Sequence, residues 1–253
     1  MKADIRHKTI GQVEVLDLLG DFKGTLASRC LLDMEQILKA RAIMLTTQHL
    51  ESIDKSGAQA IVESVKNAEK CAVITRDTFA AELLLDNSLK KICIFENSED
   101  GIFYFGKELA CENEENEFVE KRKYPRLLVA LPVKTTVVLK NKKSIPLVMV
   151  ATNLTFNGLF AKFIDTSTEN EVRKNINLYD LPLLDFTIRL SNRSLIHAKG
   201  KVTHMDPHVR GIGVEFYEMA EPSEWQLKRF LDAMIAGASG SDHDRTSGGN
   251  HHE

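Results

Sequence analysis

Two arginines, Arg122 and Arg126, stand at an abrupt change of charge. A stretch carrying Glu112, Glu114, Glu115, Glu117 and Glu120 gives way to Lys121, Arg122, Lys123 and Arg126. A guanidinium is a planar fork that matches a phosphate, or the O6/N7 edge of guanine, through two parallel hydrogen bonds, and it also stacks on base planes. Lysine does this less well, but Lys121 and Lys123 add attraction for phosphate. Further along runs Asn153-Leu-Thr-Phe-Asn-Gly158. The Asn153 amide offers donors and an acceptor to a base edge, Thr155 adds a hydroxyl, and Gly158 allows positive φ and close backbone approach. Each feature alone also fits a plainer role. The arginines suit generic surface pairing, Asn157-Gly158 suits a hairpin turn, and Asn153 and Thr155 suit the polar end of a strand.

The elements around these residues are β-rich. Apolar, β-prone runs at 127–139, 145–152, 159–163, 184–190, 195–203 and 211–216 predict six strands with no helix between them. Turn signals fall at Asn157-Gly158, Asn192-Arg193 and Asp206-Pro207. This pattern predicts a six-stranded antiparallel β-barrel. Pro222 and Ser223 open a last helix that would set Trp225, Phe230 and Met234 on the barrel mouth. The first half reads differently. Strands are expected at 12–19, 42–45, 71–75 and 92–95, alternating with helices at 27–40, 56–67, 78–85 and 98–109. Leu31, Leu32 and Ile37 are core candidates in the first of these helices, and Ala58, Ile61, Val62 and Val65 in the second. Such alternation predicts an α/β sheet with helices packed on it.

The expected division is an α/β domain over 1–111, an acidic linker over 112–120, a barrel domain over 121–236 and a disordered tail over 237–253. A chain of 253 residues accommodates two cores of this size. Its 43% hydrophobic and 27% charged content is that of ordinary globular domains, and its net charge of -3 gives no global pull toward nucleic acid or anionic membrane. Cys30, Cys71, Cys93 and Cys111 lack CxxC spacing and read as free thiols in a reducing compartment. With no leader and no apolar run of membrane-spanning length, the expected location is cytoplasmic, without membrane insertion. The sequence contains no phosphate loop of the GxxxxGK[ST] type and no GxSxG elbow. His204 and His208 lack partners at zinc-ligand spacing, His49 stands alone, and His251-His252 offers at most adventitious metal contact. No paired carboxylates suggest acid–base work. The expectation is a non-enzyme with no metal and no cofactor.

The second half resembles the PilZ family over roughly 121–235. Arg122-Lys-Tyr-Pro-Arg126 fits its RxxxR motif, and Asn153-Leu-Thr-Phe-Asn-Gly158 fits (D/N)xSxxG with threonine for serine. Gly211-Ile-Gly-Val-Glu-Phe216 fits a late barrel strand. The resemblance implies a bacterial receptor for the second messenger cyclic di-GMP, bound through Arg122, Arg126, Asn153, Thr155 and Gly158. Ordering of the arginine segment would then reposition what precedes it. The first half resembles a STAS domain over roughly 8–110, through Leu18-Leu-Gly-Asp21, the run Ile43–Asp54 and Lys55-Ser-Gly57. Phosphoregulated STAS domains carry a serine or threonine where this chain has Lys55, and often an aspartate where it has Thr46. Ser56 is expected to cap the following helix. The resemblance therefore implies a protein partner at the Asp54–Gly57 turn, without the usual phosphoswitch. The alternative is a nucleotide-independent interaction scaffold. Nucleic-acid binding is not expected, since no aromatic stripe interleaves with the basic residues.

Overall fold

A computed structural model describes residues 3–24, 39–87, 92–111, 126–138, 142–175, 180, 183–206 and 211–240. Most of the helix expected over 27–40, the acidic stretch 112–120, and Lys121, Arg122, Lys123 and Pro207 lie outside these residues.

The chain begins with a hairpin that the sequence pattern did not reveal in full. β1 (Asp4–Ile10) and β2 (Val13–Phe22) pair antiparallel around Gly11-Gln12. Gly11 has φ 59, and a Cβ there would lie 2.3 Å from the Glu108 carbonyl oxygen, so conformation and space both demand glycine. Next come β3 (Ala42–Ile53), α1 (Lys55–Val65), β4 (Lys70–Ile74), α2 (Thr78–Asn87), β5 (Ile92–Phe95) and α3 (Ser98–Ala110). The sheet order is β1-β2-β3-β4-β5, parallel from β2 onward. β3 runs far past the expected end at 45, because its polar second half still pairs with the end of β2. Both sheet faces are covered, which explains the near-continuous apolar strands. Leu16, Leu18, Ile43 and Val73 pack with Ala58, Ile61 and Leu84 on one face. Val13, Val15, Met44 and Ile74 pack with Ile102, Phe105 and Leu109 of α3 on the other.

The second half forms β6 (Leu127–Val138), β7 (Ser144–Thr155), β8 (Gly158–Phe163), α4 (Thr166–Asn175), β9 (Leu184–Arg189), β10 (Leu195–Asp206) and β11 (Gly211–Met219). The six strands close into a barrel in the order β10-β11-β8-β7-β6-β9, all antiparallel. α4 corrects the expectation of a helix-free barrel. Its sequence, TSTENEVRKN, has Val172 as its one large apolar residue, so no apolar periodicity announces it. α5 (Glu221–Gly240) closes the barrel with Leu227 and Leu231, and Phe230 packs beside them. Trp225 and Met234, expected on the barrel mouth, are instead 57% and 39% exposed. Arg229 covers the Trp225 ring, its guanidinium 4.6 Å from the ring centroid. The helix also continues to Gly240, four residues into the stretch expected to be tail from 237.

The two halves share a core. α3 packs on the sheet with one flank and on β6 and β7 with another. Val150 and Ile164 of the barrel half belong to the same apolar cluster as Ile10, Val13 and Phe105.

Candidate functional site

The β7–β8 hairpin turns on two residues, since Thr155 pairs with Gly158. The connection is Phe156-Asn157, one residue earlier than the Asn-Gly signal implied. Thr155 Oγ1 donates to the Gly158 carbonyl at 3.1 Å and accepts from the Asn157 amide at 3.2 Å. Both hydrogen-bonding roles of the hydroxyl thus serve the turn. Among the described residues positive φ occurs at Gly11, Gly20, Gly24, Lys142 and Arg193, so Gly158 is not chosen for φ. Its reason is space. A Cβ at Gly158 would stand 2.2 Å from the Val214 carbonyl oxygen and 3.3 Å from Glu215 Cα on β11.

Asn153 owes its position to irregular pairing. On β7, Ile145, Leu147, Met149 and Ala151 point into the barrel, and strict alternation would send Asn153 inward too. The β7–β8 register shifts between Ala151 and Asn153, and the β6–β7 register shifts between Leu128 and Leu131. The bulge resets the parity, so Leu154 enters the core and Asn153 and Thr155 share the outer side. Asn153 is half-buried there, and its Oδ1 is buried with no hydrogen-bond partner among the described residues. Buried acceptors are ordinarily satisfied, and among the described residues this one lies at the Arg126 end of the barrel face. Leu127 pairs with Leu154 and Leu128 with Asn153. Continuing that register brings the exposed Arg126 level with Thr155. Arg126, Asn153, Thr155 and Gly158 therefore gather at one end of the β6–β7–β8 face. Arg122 lies outside the described residues.

A cleft of about 290 Å³ lies elsewhere, between the start of α3 and β6, β9 and β10. Lys134, Arg189 and Arg193 line it, but Lys134 pairs with Glu99, and Arg189 lies 3.5 Å from Glu99 and 3.4 Å from Asp100. Two of its three basic side chains are thus paired with carboxylates of α3.

In the α/β half the strand-to-helix turn after β3 is built by Asp54. Its carboxylate accepts from the Gly57 amide at 2.7 Å and the Gly24 amide at 3.2 Å. Asp54, rather than Ser56, is the cap of α1, and Lys55 and Ser56 are exposed in its first turn. Gly57 is forced by space, for a Cβ would lie 2.0 Å from the Phe22 carbonyl oxygen. Thr46 is buried and donates to Asp17. None of the described residues forms a cluster of three or more metal-ligating side chains, and none of the described helices is long and apolar enough to cross a membrane.

No protein-family model matches the chain, and no curated protein does. Solved structures similar to it include the Bacillus subtilis inhibitor of motility (MotI/DgrA), with TM-score 0.34 and 16% identity over 52% of this chain and 58% of that one. The chain thus spans little more than half of that protein. The PilZ domain of YcgR from Escherichia coli with c-di-GMP gives TM-score 0.34 and 12% identity, covering 49% of this chain and 99% of that one. The K. pneumonia MrkH–c-di-GMP complex gives TM-score 0.36 and 13% identity, covering 49% and 57%. Likeness of this degree leaves function to be read from the site's own chemistry.

Proposed function

We propose that the chain is a cyclic di-GMP receptor of the PilZ type, with the nucleotide held at the Arg126 end of the β6–β7–β8 face. The observation that carries this reading is the buried Asn153 Oδ1, without a hydrogen-bond partner among the described residues and turned outward by a bulge beside an exposed arginine. An amide acceptor of that kind suits the N1–H and N2–H₂ edge of guanine. Arg126, with Arg122 from the segment before it, supplies bidentate donors for O6/N7 and phosphate. Gly158 and Thr155 act by fixing the hairpin rather than by direct contact. The α/β half, read as STAS-like, would carry the output to a protein partner through the surface around Lys55 and Ser56.

A second reading, a nucleotide-independent scaffold, is favoured by one observation: the Thr155 hydroxyl already uses its one donor and one acceptor lone pair within its own turn. Calorimetric titration of the full chain with cyclic di-GMP separates the two. Binding is expected, with a loss of about tenfold or more in Arg126→Ala and Asn153→Ala, the cost of one charge-assisted or buried hydrogen bond. No heat at submillimolar nucleotide, or equal affinity in both variants, would leave the scaffold reading standing.

A further inference from the structure

The N-terminus of α4 meets the sheet through a set of polar side chains that neither reading above uses. Asp165 caps the helix, its carboxylate accepting from the Ser167 amide at 2.8 Å and the Thr168 amide at 3.1 Å. The Thr166 amide instead donates to Asp17 on β2 at 2.5 Å, across the boundary between the halves. Asp17 is fully buried and also accepts from Thr46 of β3. Two carboxylates, one from each half, thus share a single helix N-terminus. Its partial positive charge favours one anion nearby, but two at such range repel each other.

His49 of β3 faces this pair. Its Nε2 lies 2.9 Å from Asp165 Oδ2. Other charged side chains lie near the joint on β1 and α4. On β1, Arg6 donates to Ser167 at 3.0 Å, and Lys8 lies 3.6 Å from Glu169. Arg173 of α4 donates to Glu169 at 2.9 Å. Lys8 and Glu169 are nearly sealed from solvent, and the partly exposed Arg173 pairs with Glu169 beside them. Of the groups at the joint, His49 is the one whose ordinary pKa lies near neutrality, and it sits directly beside Asp165.

We propose that the docking of α4 on the sheet is a proton-sensitive lock between the barrel and the α/β half, closed while His49 is protonated and loosened as it becomes neutral.

The directions of titration agree with the geometry. The hydrogen bond from Asp165 raises the His49 pKa above its ordinary 6.5, against the opposing effect of burial. A raised histidine contributes stability that is present in full below 6.5 and lost as pH rises through its folded value. Asp165 is pushed up by burial, but its bonds from His49 and Thr168 outweigh this and bring it to about 2. Its contribution is present above 3.8 and lost only as pH falls toward 2. Burial, and then the charge of Asp165, raise Asp17, so ionising it also disfavours closure as pH rises. The lock is therefore expected to hold in mildly acidic solution and to weaken through neutrality into mild alkali.

The test is amide hydrogen exchange of the full chain between pH 6 and pH 8.5, corrected for intrinsic rates and read at the α4 N-terminus and β2. In the wild type, exchange there should accelerate several-fold relative to the barrel strands. In His49→Gln it should be fast and indifferent to pH across the range. In His49→Lys, which keeps a permanent charge near Asp165, it should stay slow across the range. Equal pH dependence in wild type and His49→Gln, or slower exchange as pH rises, would overturn the proposal. The readout needs no nucleotide, so its failure is distinct from failure of the receptor reading.

Discussion

Replacing Gly158 with alanine tests how the site is held in place. The added Cβ would lie 2.2 Å from the Val214 carbonyl oxygen and 3.2 Å from the Val214 carbonyl carbon. Both belong to the backbone, so no side chain can swing away, and β8 must part from β11 by more than an ångström at the Glu215–Gly158 pair. That shift also stretches the adjoining bond from the Phe216 amide to the Asn157 carbonyl, now 2.8 Å. Overpacking of this kind costs about 1–3 kcal/mol, and one ladder hydrogen bond adds about 1 kcal/mol. The expected loss is therefore about 2–4 kcal/mol, measured by urea unfolding followed by circular dichroism. Gly106 provides the control. It lies within α3 with open space around its missing Cβ, so Gly106→Ala should stabilise by about 0.4–1 kcal/mol. A loss below about 0.5 kcal/mol for Gly158→Ala would refute the packing explanation, since that is the scale of ordinary surface substitutions. Cyclic di-GMP titration of the same variant should show weakened binding, because Asn153 and Thr155 sit on the displaced hairpin.

Thr155→Val should lower stability by about 1–2 kcal/mol, for its hydroxyl makes two bonds within a partly solvated turn, whereas Thr155→Ser should fall well short of that. A valine variant as stable as the wild type would remove the turn-building role. Burial, and then the neighbouring Cys93, push the Cys71 thiol up to about 12. Cys71 should therefore resist a thiol reagent at pH 8 in the folded chain and react once the chain is unfolded. Rapid labelling of Cys71 in the folded state would contradict its place in the sheet.

The four-residue run Ile92–Phe95 is apolar throughout and flanked by polar residues, so β5 is bounded correctly from the sequence, whereas β3 continues past its apolar start into a polar half that carries no such mark. β1 is not marked by apolar alternation, since DIRHKTI interleaves charged residues with its two isoleucines and even buries Lys8. The motifs at Arg126 and Asn153–Gly158 were legible as residue types, but their geometry was not. The run Leu147–Ala151 is apolar throughout, so nothing in it marks the bulge that turns Asn153 outward. The cap assignments failed for a related reason. Asp54 and Ser56 are both good capping residues, and only the paths of Phe22 and Gly24 decide between them. The joint at α4 is not legible in the sequence because its partners, Asp17, Thr46, His49 and Asp165, lie far apart in the chain. A faint local signal existed, an Asp-Thr-Ser-Thr-Glu run with an acidic residue in the first helical turn.

The mixed apolar cluster beneath α3 also bears on how this polypeptide can be cut. Val150 and Ile164 are as fully buried as Ile10 and Phe105, and they are buried by them. Excising the barrel half for separate expression would leave Val150, Ile164 and their neighbours Ala130 and Val148 as a bare apolar patch, while the other fragment would bare the outer flank of α3. Patches of that kind drive self-association. Low solubility of either fragment would then report the severed core, and experiments that assign an activity to one half are best made on the undivided chain.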